Sequence, residues 1–425
     1  MGGEPAAVTA GTRAPTPHAD AALGDAAIAA RIWPLLGASA LGLVPFTLYS
    51  TVLVEITRDA QSDAALMGWL RGTGGVAALL VGLCCAPLLD RLSRGAAAAG
   101  ALAVLALACL LGVLGSVWSW AGFCLLVGAA TAVLNPAVSA MAADRFQDRA
   151  ASGRAATQVS ATMTLTAVLA APLLAGPAAL WGWRGDLVAT AVLAAVTAAL
   201  LLRGTGRGEP AVPHSTAGTG YVAALRAVWT LPGVPAMLLV STLRTTAFMG
   251  QLAYLAVVYF DRFGVGPGIF SLVWTLSGLA FFLGNWFGGR LLGSLESTSR
   301  AAWTACGAAL VAAAAVLLLF RTEHLGVALA ATTLLGASHA VVAAVVTTLL
   351  VRVSPGHRGT VLGLNGAGQS LGVCVGASVA GAGLGVAGWE GAGTALALVT
   401  GLGALVAART GWALRAAQPC DRSGS

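Results

Sequence analysis

The chain has 425 residues, 58% of them hydrophobic and 9% charged, with a formal net charge of +7. Soluble domains carry roughly 25% charged residues, so this composition excludes a water-soluble globular protein and points to a polypeptide solvated by lipid. All 23 basic residues are arginine, and without a lysine the P-loop, Schiff-base and kinase-type chemistries are excluded.

Residues 1–30 are alanine, proline, threonine and glycine with scattered charges, a composition that cannot bury a core. They read as a disordered cytoplasmic tail. No signal peptide is expected, because the first apolar stretch begins after Arg31 and is too long for an h-region. Twelve stretches long enough to cross a bilayer as helices follow, at 33–54, 66–89, 95–115, 118–142, 155–177, 185–202, 233–258, 268–289, 301–319, 325–350, 360–383 and 391–408. The 56 glycines and abundant alanine suit helices that pack through small residues.

An even number of spans puts both termini on one side. Seventeen arginines fall in segments on that side, against four on the other, Arg58, Arg184, Arg262 and Arg321. The positive-inside rule then places both termini in the cytoplasm. The remaining two arginines, Arg71 and Arg244, lie within spans.

Arg203 to Leu231, rich in glycine and proline, divides the spans into two sets of six. The expected organisation is a tail (1–30), a six-helix bundle (31–203), a cytoplasmic linker (204–231), a second six-helix bundle (232–409) and a tail (410–425). The halves echo one another, as transporter repeats do. Leu89-Asp90-Arg91 is answered by Gly288-Gly289-Arg290, Arg149 by Arg358, and Trp181-Gly182-Trp183-Arg184 by Gly388-Trp389-Glu390.

Polar residues recur within the spans at helical spacing. Helix 7 carries Ser241, Arg244, Phe248 and Gln251 on one face, helix 10 carries Thr332, His339 and Thr347, helix 4 carries Thr131, Asn135 and Ser139, and helix 1 offers Phe46 and Tyr49. Arg244 and His339 each lie about 11 residues from the cytoplasmic end of their helix, about 16 Å deep. An ionisable group there costs at least about 2.5 kcal/mol unless paired or hydrated. With the cavity-lining helices that the family resemblance given below implies, the expected substrate site is Tyr49, Asn135, Arg244, Phe248, Gln251 and His339, with Arg244 on an anionic or carbonyl group. The bland alternatives are an Arg244 that binds helix-end carbonyls and a neutral core His339.

None of the 16 acidic residues lies securely at mid-membrane. Glu55, near the outer end of helix 1, comes closest, and the expected proton-coupling pair is Glu55 and His339. Arg71 sits about five residues from the outer end of helix 2, where snorkelling explains it as well as function does. The seven cysteines form no metal or disulfide pattern, and no cofactor is expected. Gly366-Ala367-Gly368-Gln369-Ser370-Leu371-Gly372 looks faintly like a dinucleotide loop but has no βαβ unit around it. Scattered Asp, Glu, His and Cys argue against an enzyme, and nothing in the sequence suggests nucleic-acid binding.

The turn Ala86-Pro87-Leu88-Leu89-Asp90-Arg91-Leu92-Ser93-Arg94-Gly95 between helices 2 and 3 resembles the signature loop of the major facilitator superfamily. The run from Ala171 to Gly176 followed by Gly182-Trp183-Arg184 is similar to the antiporter run of that family, and Leu53-Val54-Glu55-Ile56-Thr57-Arg58-Asp59 looks like the end of helix 1 in its twelve-helix drug:proton efflux branch. The resemblance implies an all-α membrane fold of two pseudo-symmetric six-helix bundles, a cavity lined by helices 1, 4, 7 and 10, and a conformational latch of Asp90, Arg91 and Arg94. It further implies an exporter of a small drug or metabolite, exchanging against protons; the all-arginine, alanine-rich composition points to the cytoplasmic membrane of a bacterium, and a monomer is expected. A proton-coupled uptake permease for a small organic anion is the runner-up, and a non-transporting sensor is a more distant one.

Overall fold

The computed structural model describes residues 23–84, 93–205, 226, 228–293, 297–354 and 358–416. Among them every regular element is helical: α1 (Asp25–Thr51), α2 (Ala64–Cys84), α3 (Arg94–Gly112), α4 (Val117–Asp144), the run Arg149–Thr205, α7 (Val234–Phe263), α8 (Pro267–Gly293), α9 (Thr298–Arg321), α10 (Leu325–Val353) and the run Arg358–Ala416. A short helix, Leu53–Asp59, continues α1 after a break at Val52.

The two long runs are each broken once. Gly182 takes φ 65°, ψ 178° and Gly388 takes φ 60°, ψ −152°, with Ala387 also outside helical geometry. A straight 57-residue helix would be about 85 Å long, nearly three times the bilayer core, so each run crosses twice. We number the pieces α5 (149–181), α6 (183–205), α11 (358–386) and α12 (389–416). Only glycine visits this left-handed region cheaply, and both glycines fall in the paired tryptophan motifs of the sequence.

Nine helices among the described residues are long and apolar enough to cross a membrane, two of them being the doubled runs. α7, outside those nine but 30 residues long, completes twelve. The boundaries differ from the sequence expectation mainly at the ends: α1 starts at Asp25 rather than 33 and the last helix extends to Ala416 rather than 408. Helix starts are fixed by short polar side chains. Ser93 and Ser116 accept from the Ala96 and Ser119 amides at 3.3 and 3.1 Å. Asp63 and Asp148 accept from Leu66 and Ala151, both at 2.8 Å, closing the orphan donors of α2 and α5.

The polarity pattern is inverted relative to a soluble protein. Leu107 and Leu110 of α3, Val192 and Val196 of α6, and Leu398 and Leu405 of α12 are exposed, while Ser241, Arg244, Thr245 and Gln251 of α7 are buried. Apolar surface thus faces outward on the peripheral helices and polar groups face in, as lipid requires. Small residues set the close crossings: a Cβ on Gly128 of α4 would run into the Gly74 carbonyl of α2, and one on Gly376 of α11 into the Thr246 carbonyl of α7.

The face where α1 begins and α12 ends, here the terminal face, differs from the opposite one. Toward the opposite face the two halves touch. Gly72 and Gly75 of α2 lie against Cys374 and Ser370 of α11, and Gly278 of α8 lies against Ala167 and Val168 of α5. Toward the terminal face, a Cβ on Gly82 of α2 or on Gly363 or Gly366 of α11 would meet nothing within 4 Å.

Candidate functional site

A cavity of about 300 Å³ lies where the halves diverge. From the first half α1 supplies Leu43, Phe46 and Tyr49, α2 supplies Arg71, α4 supplies Phe123, Cys124, Val127, Thr131 and Asn135, and α5 supplies Met163. From the second half α7 supplies Arg244, Thr245 and Met249, and α11 supplies Gln369, Ser370 and Val373.

Two guanidinium groups share this space. Arg71 stacks on the Phe46 ring, 3.8 Å from its centroid, and its Nη1 donates across the bundle interface to the Met249 carbonyl at 3.1 Å. Arg244 Nη2 donates to Thr245 Oγ1 at 2.8 Å, and that hydroxyl donates in turn to the Ser241 carbonyl at 2.9 Å. Arg71 Nε and Nη2, Arg244 Nε and Nη1, and Asn135 Oδ1 are buried with no hydrogen-bond partner among the described residues. Among the described residues, no aspartate or glutamate lines the cavity.

Of the residues expected at the site, the structure brings Tyr49, Asn135 and Arg244 to the cavity and leaves Phe248, Gln251 and His339 off its lining. Tyr49 is 1% exposed, with its hydroxyl spent on the Met67 carbonyl at 2.6 Å and its ring stacked with Phe123 at 5.9 Å. His339 is buried behind α7, its ring 5.1 Å from that of Phe248, with Nδ1 unpartnered. Both side-chain atoms of Gln251 are likewise buried and unpartnered.

Among the described residues, none of α10 lines this cavity, where the expected set was helices 1, 4, 7 and 10. Its place is taken by α11, whose Gly368, Gly372 and Gly376 let it close onto Thr242, Thr245 and Thr246 of α7. That approach carries Gln369 and Ser370 to the cavity wall. Arg71 is the largest omission from the expected site. Its length and position near a helix end matched a snorkelling residue, and the signal that separates the two is the glycine pair Gly74 and Gly75 on the same helix. Those glycines draw α4 and α11 against α2 and turn the arginine inward.

Glu55 stands apart from the cavity, in the short helix beyond Val52, beside Ala256 and Phe260 of α7 and Phe270 of α8. Its Oε2 is buried without a partner. Asp186, near the start of α6, is a further carboxylate with 1% exposure and one unpartnered oxygen. Of the expected latch, Asp90 and Arg91 lie outside the described residues. Arg94 pairs with Asp144 at the end of α4.

The helical fold has counterparts among solved structures. A bacterial homologue of the human lysosomal transporter Spinster, crystallised inward-facing and occupied, superposes with a TM-score of 0.73 at 16% identity over 93% of this chain and 98% of that one. The nucleoside transporter NupG gives 0.68 at 13% identity over 91% and 98%. The human organic anion transporter MFSD10 (TETRAN) gives 0.62 at 19% identity over 88% and 98%. No curated protein sequence matches the chain significantly. Residues 35–329 match the family model of the Major Facilitator Superfamily, and the chain belongs to that superfamily of membrane transporters.

Proposed function

We propose that the protein is a secondary active exporter of a small organic compound, working by alternating access and proton antiport in the cytoplasmic membrane, with both termini in the cytoplasm. The observation that carries this reading is the cavity itself. It lies between two halves that touch toward one face and diverge toward the other, which is the arrangement that rocking around a midplane site requires. The arginine count on the terminal face supports placing that face inside, and the structure then stands with its site facing the cytoplasm, ready to load cargo for export. The three neighbours named above are all described as transporters.

Coupling falls to Glu55, which stands apart from the cavity, and to His339, which lies within electrostatic reach of Arg244. Glu55 is partly buried and His339 buried, each has a buried side-chain atom left unpaired, and neither has a salt-bridge partner among the described residues. A proton on either is a change of charge beside α7, the helix that also carries Arg244.

Accumulation of candidate compounds in cells expressing the protein, with and without a protonophore, tests the reading. Wild type is expected to lower retention of its cargo, the protonophore to abolish the effect, and Arg244→Ala to reduce efflux at least tenfold. Paired Glu55→Gln and His339→Ala variants are expected to lose dependence on the proton gradient. Equal retention in every case would remove the export claim, and full gradient-driven efflux by the double variant would remove the coupling assignment.

A further inference from the structure

We infer that the cargo is an organic anion, and that its acidic group is held jointly by Arg71 of the first half and Arg244 of the second. Identifying that anion as cargo rests on the transporter reading above; the binding site itself does not.

The inference starts from unsatisfied charge. Arg71 and Arg244 are 5% and 8% exposed, and each has two guanidinium nitrogens with no partner among the described residues. A buried cation is retained only where something offsets its desolvation. Among the described residues the cavity offers no carboxylate for the purpose, and the contacts present, one carbonyl, one hydroxyl and the Phe46 ring, carry no negative charge. A carboxylate, sulfonate or phosphonate supplies what is missing, because its oxygens accept from a guanidinium fork in charge-assisted pairs.

The two arginines line one cavity. Arg71 is anchored at the Met249 carbonyl, five residues beyond Arg244 on α7, a rise of about 7.5 Å. Both guanidinium groups therefore reach the cavity beside α7 while belonging to different halves of the protein. The remaining walls are mostly apolar, with Phe123, Val127 and Met163 among them, and the volume is that of about ten water molecules. An acid with a compact apolar or aromatic body fits. Asn135 Oδ1, an unpaired acceptor, suits a hydroxyl or N–H on that body.

The competing account makes Arg71 a strut that fastens α2 to α7 through Met249. A strut explains one hydrogen bond and leaves Nε and Nη2 idle, and it gives Arg244 no role at all. The two accounts differ in what neutralisation of either arginine does to charged molecules in the cavity.

Cys124 lines that cavity and makes the test independent of knowing the cargo. In a full-length variant keeping Cys124 alone among the cysteines, its reaction rates with a sulfonate-bearing and a trimethylammonium-bearing methanethiosulfonate are compared, each normalised to mercaptoethanol. Arg71→Gln and Arg244→Gln are each expected to lower the sulfonate-to-ammonium ratio at least tenfold, whereas Arg71→Lys and Arg244→Lys keep it within about threefold. A panel of aromatic carboxylates, sulfonates and phosphonates with their neutral amide counterparts, tested for protection of Cys124, extends the result. At least one anion is expected to protect in the parent and to lose protection tenfold or more in both glutamine variants. An unchanged ratio, protection by amides equal to that by acids, or no protection by any anion overturns the inference. Gradient-driven flux of amines or neutral compounds alone would do so while leaving the transporter reading intact. Protection by anions that are never transported would instead sink that reading and spare the site.

Discussion

Arg71 and Gly128 show how a single side chain, or the lack of one, decides the interior of this protein. Gly128 lets α4 touch the backbone of α2 at Gly74, and an added methyl would collide with that carbonyl. Overpacking of this kind typically costs about 1–3 kcal/mol. Gly128→Ala is expected to lower the thermal unfolding midpoint of the purified protein by several degrees. Gly100→Ala and Gly307→Ala, where a Cβ meets nothing within 4 Å, are expected to leave it level or raise it, since alanine is the better helix former by up to about 1 kcal/mol. A Gly128→Ala protein as stable as the parent would contradict the close crossing. At this scale the sequence was partly legible. The depth of Arg244 and the helical stripe of Thr131 and Asn135 pointed to the cavity, because a polar residue deep in an apolar segment has few other reasons to be there. Arg71 was not legible as a site residue, because which way a residue near a helix end turns depends on the neighbours that its helix meets.

Among the elements, α7 meets α2 and α11 toward the opposite face. Tyr254 of α7 is fully buried, and its hydroxyl lies 3.1 Å from the Ala65 carbonyl of α2 and 3.2 Å from the Ala377 carbonyl of α11. Its ring occupies the space that a side chain on Gly68 or Gly381 would need. The phenol has one proton and donates to one carbonyl at a time, an interaction worth about 1 kcal/mol. Tyr254→Phe is expected to favour opening at that face by roughly fivefold, read as faster labelling of Cys124 by an impermeant thiol reagent applied from the opposite side. Gly68→Ala, which displaces the ring, is expected to act in the same direction and more strongly. Labelling no faster in either variant would show that the tyrosine is not a seal. Helix number, order and repeat could be read from the chain, since apolar length and the tryptophan–glycine landmarks do not depend on packing. The exchange of α10 for α11 at the cavity could not, because it follows from glycine-mediated approach of α11 to α7, and helical periodicity on α10 says only that a polar face is buried, not in what.

The molecule as a whole is two six-helix halves meeting toward one face and parted toward the other, with one arginine from each side of the divide in the space between. If the halves rock as units, a ligand or proton that favours the other state must lengthen separations on one face while shortening them on the other. A population shift of this kind requires differential affinity for the two states, and a ligand held by both Arg71 and Arg244 supplies it, because its grip depends on how far apart the halves stand. Pulsed electron paramagnetic resonance on two spin-label pairs in reconstituted protein tests this most directly. One pair at Leu114 and Val386 reports the opposite face, and one at Arg145 and Arg300 reports the terminal face, all four being exposed positions. On lowering the pH or adding a protecting anion, the Leu114–Val386 distance is expected to lengthen as the Arg145–Arg300 distance shortens. Distances that stay fixed, or that lengthen or shorten together, would contradict two halves rocking about a shared site.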